Sequence, residues 1–275
     1  MSEVTEVMRF REEYAFLSNM YEAPLTWDKR RYRNSEAAFQ SAKSLDPWER
    51  AKFSVMAGVT AKRAGKKLLL RMDWNNVRLE IMEDILRAKF TQNPELREKL
   101  LATGDLELQE GNTWHDTFWG VNVKTGKGEN HMGRLLMQLR QEFREEDAAA
   151  LLPPEERQRR EAEEKEALKA EIRKIRAELH PLFPWPDLTG QEIRTWDYGT
   201  ATIVGQQYGD LNVRLCNGAY KTFQLPGCVV QGKLIPADRE FVKKCIRIQA
   251  LRYRLRKLED RLGYSLAEPP AGLSI

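Results

Sequence analysis

Two adjacent prolines, Pro153-Pro154, constrain this chain more than any other feature. Neither can continue a helix, so DAAALLPP at 147–154 closes one helical run and forces a new start. The two sides are built differently. Five of the seven tryptophans (Trp27, Trp48, Trp74, Trp114 and Trp119) precede the break, and the charge-dense run EERQRREAEEKEALKAEIRKIRAELH follows it. A chain of 275 residues has room for two units of ordinary domain size. The expected division is a first domain over 1–147 and a second over 154–275.

Composition excludes several classes. Hydrophobic residues at 41% allow a real core and charged residues at 31% surround it with solvated surface, which argues against wholesale disorder. No apolar run approaches the roughly 18 to 20 residues that cross a bilayer, and MSEVTEVMRFREEY places acids where a signal peptide needs an apolar stretch. The expected address is cytoplasmic, with no membrane partner. Cys216, Cys228 and Cys245 are odd in number and lack metal-finger spacing, so neither a disulfide framework nor a zinc site is expected. The net charge of +4 is uneven: residues 1–150 hold 24 basic and 24 acidic side chains, and the surplus lies wholly beyond them.

In the second domain, Leu168, Ile172, Ile175 and Leu179 recur at helical spacing on a charged background, and Ile248, Leu251, Leu255, Leu258 and Leu262 do the same near Gly263. Each seam needs a partner. The spacing predicts an antiparallel helical hairpin of coiled-coil type over 154–180 and 238–263, with a homodimeric coiled coil as the competing arrangement. Between them the period changes to two: TATIV at 200–204, then Leu211, Val213 and Leu215, then Phe223 and Leu225, with Asn217-Gly218 as a two-residue hairpin turn. This small antiparallel β unit over 192–236 resembles SH3-like or Tudor-like barrels. From Phe241 to Lys257, seven basic residues meet no acid. Pairing with the Glu-rich first helix is one reading of that imbalance, and contact with nucleic acid phosphates is the other.

The first domain carries the residues suited to chemistry. In NSEAAFQSAKS at 34–44, Glu36, Gln40 and Lys43 stand at i, i+4 and i+7, a carboxylate, an amide and an amine along one stripe. A solvated polar face is the plain alternative. In GNTWHDTFWGV, Asp116 is the one acid among Trp114, Phe118 and Trp119; such surroundings raise a carboxyl pKa toward the range of proton transfer, and an indole can stack on a base. Ordinary core aromatics beside a hydrogen-bonded acid would look the same. The loop at 126–130 leads into a helix whose first amides, with Lys127, have the elements of a phosphate site, although the spacing fits no established phosphate loop.

FLSNMYEAPLTW at 16–27, SEAAFQSAK at 35–43, DWNNVRLEIM at 73–82, KFTQNPEL at 89–96, LLATGDLELQEGNTWHDTFWGV at 100–121 and GENHMGRLLMQLR at 128–140 together resemble the NADAR family, also called YbiA-like, over about residues 9–145. The resemblance implies a mainly helical domain with short β elements, so the whole chain is expected to be α+β, with the helical hairpin and β unit appended. It also implies N-glycosidase activity on ribosyl compounds, either riboflavin-pathway phosphoribosyl intermediates or ADP-ribosyl-guanine in nucleic acid, without a cofactor or metal. Carried over residue by residue, it makes Glu36, Lys43 and Asp116 catalytic, and Asn19, Gln40, Trp74, Arg78, Trp119, Gly120 and Asn130 substrate-binding. Ala37-Ala38 and His131-Met132 depart from the commoner fillings, which leaves the catalytic set intact and the substrate preference open. The expected partner is a phosphorylated ribosyl or ADP-ribosyl substrate, with nucleic acid or protein meeting the C-terminal part. The other functional class is a non-catalytic module that binds ADP-ribose-like ligands and works by recruitment.

Overall fold

The computed structural model describes residues 6–263 except 8, 184 and 208. Packing divides the chain into two compact units, one holding the chain up to Leu68 with Arg78–Pro153, the other Leu69–Val77 with the chain from Pro154 onward. The architecture is mixed α and β.

The first unit opens with β1 (Glu6–Val7), a 3-10 turn at Glu12–Leu17 and the hairpin β2 (Leu25–Trp27) and β3 (Arg30–Tyr32). Three short helices follow, α1 (Ser35–Ser41), α2 (Pro47–Ala51) and α3 (Gly58–Gly65). The Asn34 side chain caps α1 by accepting from the Ala37 amide at 2.9 Å, and Asp46 caps α2 ahead of Pro47. The long helix α4 (Trp74–Gln92) leads through Asn93-Pro94 to α5 (Pro94–Ala102). Strands β4 (Glu107–Leu108), β5 (Gly111–Asn112) and β6 (Val121–Asn122) precede α6 (His131–Ala150). Strand β4 pairs in parallel with β1, and β5 with β6. Ile81, Ile85, Leu86 and Phe90 of α4 and Leu136, Leu139 and Phe143 of α6 are buried at helical spacing, and Phe90 meets Phe16 edge to face.

Helix α3 packs on α1 through a stripe of small residues, Gly58, Ala61 and Gly65. A Cβ at Gly65 would lie 1.9 Å from Gln40 Oε1, and one at Gly58 would lie 2.7 Å from Met20 Sδ and 3.5 Å from the Glu36 Cβ. Only glycine permits so close an approach.

In the second unit, α7 (Pro154–Leu179) is followed by β7 (Glu192–Thr195), β8 (Gly199–Gln207), β9 (Asp210–Leu215), β10 (Tyr220–Gln224), α8 (Gly227–Val230), β11 (Leu234–Ile235) and α9 (Arg239–Leu262). The strands form one curled antiparallel sheet in the order β10-β9-β8-β7-β11, with a register shift between Ile203 and Gly205. Leu168, Ile172, Ile175 and Leu179 of α7 are buried in one cluster with Ile248, Leu251 and Leu258 of α9. Exposed ion pairs Glu178–Arg247, Arg176–Glu259 and Glu164–Arg261 flank this cluster. The segment Leu69–Val77 is held by Met72 N donating to Val230 O at 2.7 Å and Gln231 Nε2 donating to Leu69 O at 2.6 Å. Within it, the buried Arg71 and Asp73 form a bidentate pair with both bonds at 2.6 Å.

The hairpin between β9 and β10 differs from the two-residue turn expected at Asn217-Gly218. Leu215 N donates to Ala219 O, which closes a three-residue loop, and of its residues only Gly218 takes a positive φ, of 84°. The Asn217 side chain accepts from the Ala219 amide at 3.0 Å and stays out of the left-handed region that a two-residue type I′ turn requires at both central positions.

Candidate active site

The site begins at α1. Glu36 occupies the first turn of that helix, and its backbone amide donates to Asn19 O at 3.0 Å. Its side chain is buried and accepts from Gln40 Nε2 at 2.8 Å, one turn along. The helix ends at Ser41, so Lys43 lies just beyond it on a tightened turn in which the Lys43 amide donates to Gln40 O at 3.3 Å. The stripe expected from spacing is therefore helical for Glu36 and Gln40 and post-helical for Lys43.

Burial raises the Glu36 pKa above the ordinary carboxylate value; the Gln40 hydrogen bond and the charges of Lys62 and Lys43 oppose the rise, and Asp116 adds to it. Burial likewise lowers the Lys43 pKa, with Glu36 opposing and Lys62 and Lys66 assisting. These dependences join Glu36, Lys43, Lys62 and Asp116 in one electrostatic set. Asp116 belongs to a braced loop: its Oδ1 accepts from Trp119 N at 3.0 Å, and the Asn112 side chain both accepts from Asp116 N at 3.1 Å and donates to Asp116 O at 2.8 Å.

Three further charged residues enter that sequence reasoning missed. Glu110 has its pKa pushed up to about 7, first by burial and then by Asp116 and Glu36, with Lys62 and Lys89 opposing. Lys62 acts on Glu36, Lys43 and Glu110 alike. Lys89 is wholly buried, donates through Nζ to Phe16 O at 2.5 Å and Ser18 O at 2.9 Å, and has its pKa lowered to about 7 by burial. In the sequence Lys62 sits in AKRAGKK, which reads as a solvated basic run; the small-residue spacing of Gly58, Ala61 and Gly65 is the signal that marks that helix as packed.

The remaining expected residues occupy distinct places. The buried Asn19 donates through Nδ2 to Met82 Sδ at 3.3 Å, and its Oδ1 has no partner among the described residues. Gln40 Oε1 is buried and likewise unpartnered there. Arg78 stacks its guanidinium 3.5 Å from the Phe118 ring centroid. Trp119 is half-buried, edge to face with Phe39 at 5.3 Å and with Phe118 at 5.0 Å. Gly120 allows a backbone approach that any side chain would block, since a Cβ there would lie 2.0 Å from Glu110 O. Asn130, left-handed at φ 52°, uses its amide as a brace: Oδ1 accepts from Glu110 N at 3.1 Å and Nδ2 donates to Leu108 O at 2.9 Å. Trp74 is buried at the start of α4, in the segment that groups with the second unit.

The helix start considered as a phosphate site is occupied by the protein itself. The amides of Glu129, Asn130, His131 and Met132 donate to the carbonyls of Thr117, Gly120, Phe118 and Trp119. Those donors hold the Asp116 loop instead of facing a ligand. Among the described residues no cluster of three or more His, Cys, Asp or Glu side chains is placed to hold a metal ion, and no helix is long and apolar enough to cross a membrane.

Known proteins resemble the N-terminal half of the chain. Residues 7–144 match the model of the NADAR domain. N-glycosidase YbiA of Shigella boydii is 38% identical over 134 residues, 48% of this chain and 82% of that protein. A riboflavin biosynthesis protein of Vibrio vulnificus is 37% identical over 139 residues, 49% of this chain and 37% of that protein. The solution NMR structure of YbiA from E. coli shares 34% identity, covers 53% of this chain and 92% of its own, and superposes with a TM-score of 0.47. Since the matched region is half of the chain and spans every residue of the electrostatic set around Glu36, the protein belongs to the NADAR domain family.

Proposed function

We propose that the domain at residues 1–147 is an N-glycosidase that hydrolyses the C1′–N bond of a phosphorylated ribosyl compound. The observation that carries this reading is the buried Glu36, hydrogen-bonded by Gln40 and electrostatically joined to Lys43, Lys62 and Asp116, in a chain whose relatives are named N-glycosidases. Cleavage of a C1′–N bond builds positive charge on the sugar ring. A carboxylate withdrawn from water interacts with that charge far more strongly than with the neutral ground state, so the gain falls on the transition state.

Lys43 supplies the second group. Its lowered pKa increases the fraction of neutral amine, the form that attacks carbon. In the proposed sequence the sugar ring opens to a protonated imine whose positive charge faces the Glu36 carboxylate, Lys43 Nζ adds at C1′, and the base departs with its proton delivered by Asp116. Water then hydrolyses the lysine Schiff base, which releases the sugar with its phosphate intact and frees the Lys43 amine. Asn19, Arg78, Trp119, Gly120 and Asn130 shape the surroundings of these groups, and Trp74 is proposed to meet the substrate as well. The C-terminal hairpin, read as a coiled coil, and the curled sheet, read as SH3-like, are proposed as an interaction module for a protein or nucleic acid partner of a cytoplasmic enzyme.

The test is release of free base from two substrates side by side, a phosphoribosyl riboflavin-pathway intermediate and ADP-ribosylated guanine in DNA. Borohydride added during turnover should fix sugar mass on Lys43, and Lys43→Ala should lose both release and trapping. Tight ADP-ribose binding by the unmodified protein with no base released from either substrate would replace the enzyme by a recruitment module.

A further inference from the structure

Helix α3 lies so close to α1 that its exposed side carries cations to the edge of the Glu36 set. Gly58 approaches Glu36 and Gly65 approaches Gln40, so Lys62 stands between these two contacts along α3, with Lys66 one turn further on. The Lys62 ammonium lies 5.9 Å from the centroid of the Trp114 ring. Trp114 is 54% exposed, and it stands on a loop whose following residues are tied down by hydrogen bonds.

The ties are specific. His115, next in sequence, is held at φ 64°, and its Nδ1 is 3.3 Å from Asn122 Nδ2. Asn112 clamps the Asp116 backbone from both sides, and Thr117 O accepts from the Glu129 amide at 2.7 Å. Trp114 is therefore a large apolar ring presented on a fixed loop beside a cation, which costs little entropy to use as a stacking surface. Trp119, the other tryptophan of this loop, is already packed between Phe39 and Phe118.

We infer that Trp114, Lys62 and Lys66 form a rim subsite that binds a nucleotide portion of the substrate, its planar heterocycle stacked on Trp114 and its phosphate facing the two lysines. The ring stacks through dispersion and desolvation, and a phosphate beside two ammonium groups gains charge-assisted contacts. Ligands that carry a ring and a phosphate engage both parts, whereas a sugar phosphate engages the lysines alone. Trp114 is thus a specificity residue that separates nucleotide-sized substrates from small sugar phosphates.

This inference deepens the N-glycosidase reading and rests on it for the choice of probes. The experiment is calorimetric titration of the full chain carrying Glu36→Gln, with ADP-ribose and with ribose 5-phosphate. Trp114→Ala should weaken ADP-ribose about tenfold, as expected for loss of one stacked ring, and leave ribose 5-phosphate unchanged. Trp114→Phe should restore most of the loss, which a merely structural role for the indole would not predict. Lys62→Gln with Lys66→Gln should weaken both probes and flatten the salt dependence of binding. Unchanged ADP-ribose affinity in Trp114→Ala, an equal loss for both probes, or no binding of ADP-ribose by the parent overturns the subsite. Base release by the unmodified chain is scored separately: absent release with ring-selective binding overturns the proposed reaction and supports the subsite.

Discussion

A carboxyl group that is buried next to amines can be placed by how it answers to pH. Glu36→Gln keeps the shape and the Gln40 contact but removes the charge that meets the developing cation, and base release should fall at least about a hundredfold, measured as initial rate at saturating substrate. Glu110 makes a different prediction. Its pKa of about 7 lies above the ordinary 4.5, so between these values the folded protein holds a proton that the unfolded chain has released. The stabilisation is complete below about 4.5 and is lost as pH rises through 7. Glu110→Gln should flatten that fall, by about 1–3 kcal/mol once partial exposure is allowed for, in urea unfolding run across the window. Lys89, lowered to about 7, acts with the opposite sign, contributing above its unfolded value and losing that contribution as pH falls through 7. Glu36, Lys43 and Asp116 could be singled out as candidates because they stand inside the local motifs that carry the family resemblance, whereas their spacing and aromatic surroundings alone fit a plain structural reading as well. Glu110 was not, since one acid in GDLELQEGN looks like its neighbours and nothing local marks it as the buried one.

Among the elements, α3 is inconspicuous in sequence, yet it carries Lys62, which acts on Glu36, Lys43 and Glu110. Gly65→Val should cost about 1–3 kcal/mol and lower base release as well, because Gln40 must move away from Glu36 to admit the side chain. A stability loss in thermal unfolding without any change in activity would contradict that account. In the second unit the spacing of Leu168, Ile172, Ile175 and Leu179 identified residues that are buried together, since a narrow apolar stripe on a charged helix has few ways to be covered. Ile172→Ala should destabilise that unit by about 2–5 kcal/mol in chemical denaturation. The helix start before His131 misled for a physical reason: glycine before a helix shows that amides are available, and only the fold shows that the carbonyls of Thr117, Phe118, Trp119 and Gly120 claim them.

For the molecule as a whole, the break at Pro153-Pro154 was visible because proline interrupts helices wherever it stands. The grouping of Leu69–Val77 with the C-terminal unit was not, because it depends on hydrogen bonds to Val230 and Gln231, more than 150 residues away. A chain cut after Pro153 should lose hydrogen-exchange protection at the Met72 amide, whose acceptor is Val230 O; unchanged protection in the fragment would count against this tie. The same tie bears on inheritance. A recombination event at the double proline would transfer helices and sheet but leave Leu69–Val77 behind, inside the NADAR region. A C-terminal unit moved in that way keeps these hydrogen bonds only where the recipient carries a compatible version of that short stretch, so the two parts of the sequence are expected to drift together although a single cut divides them.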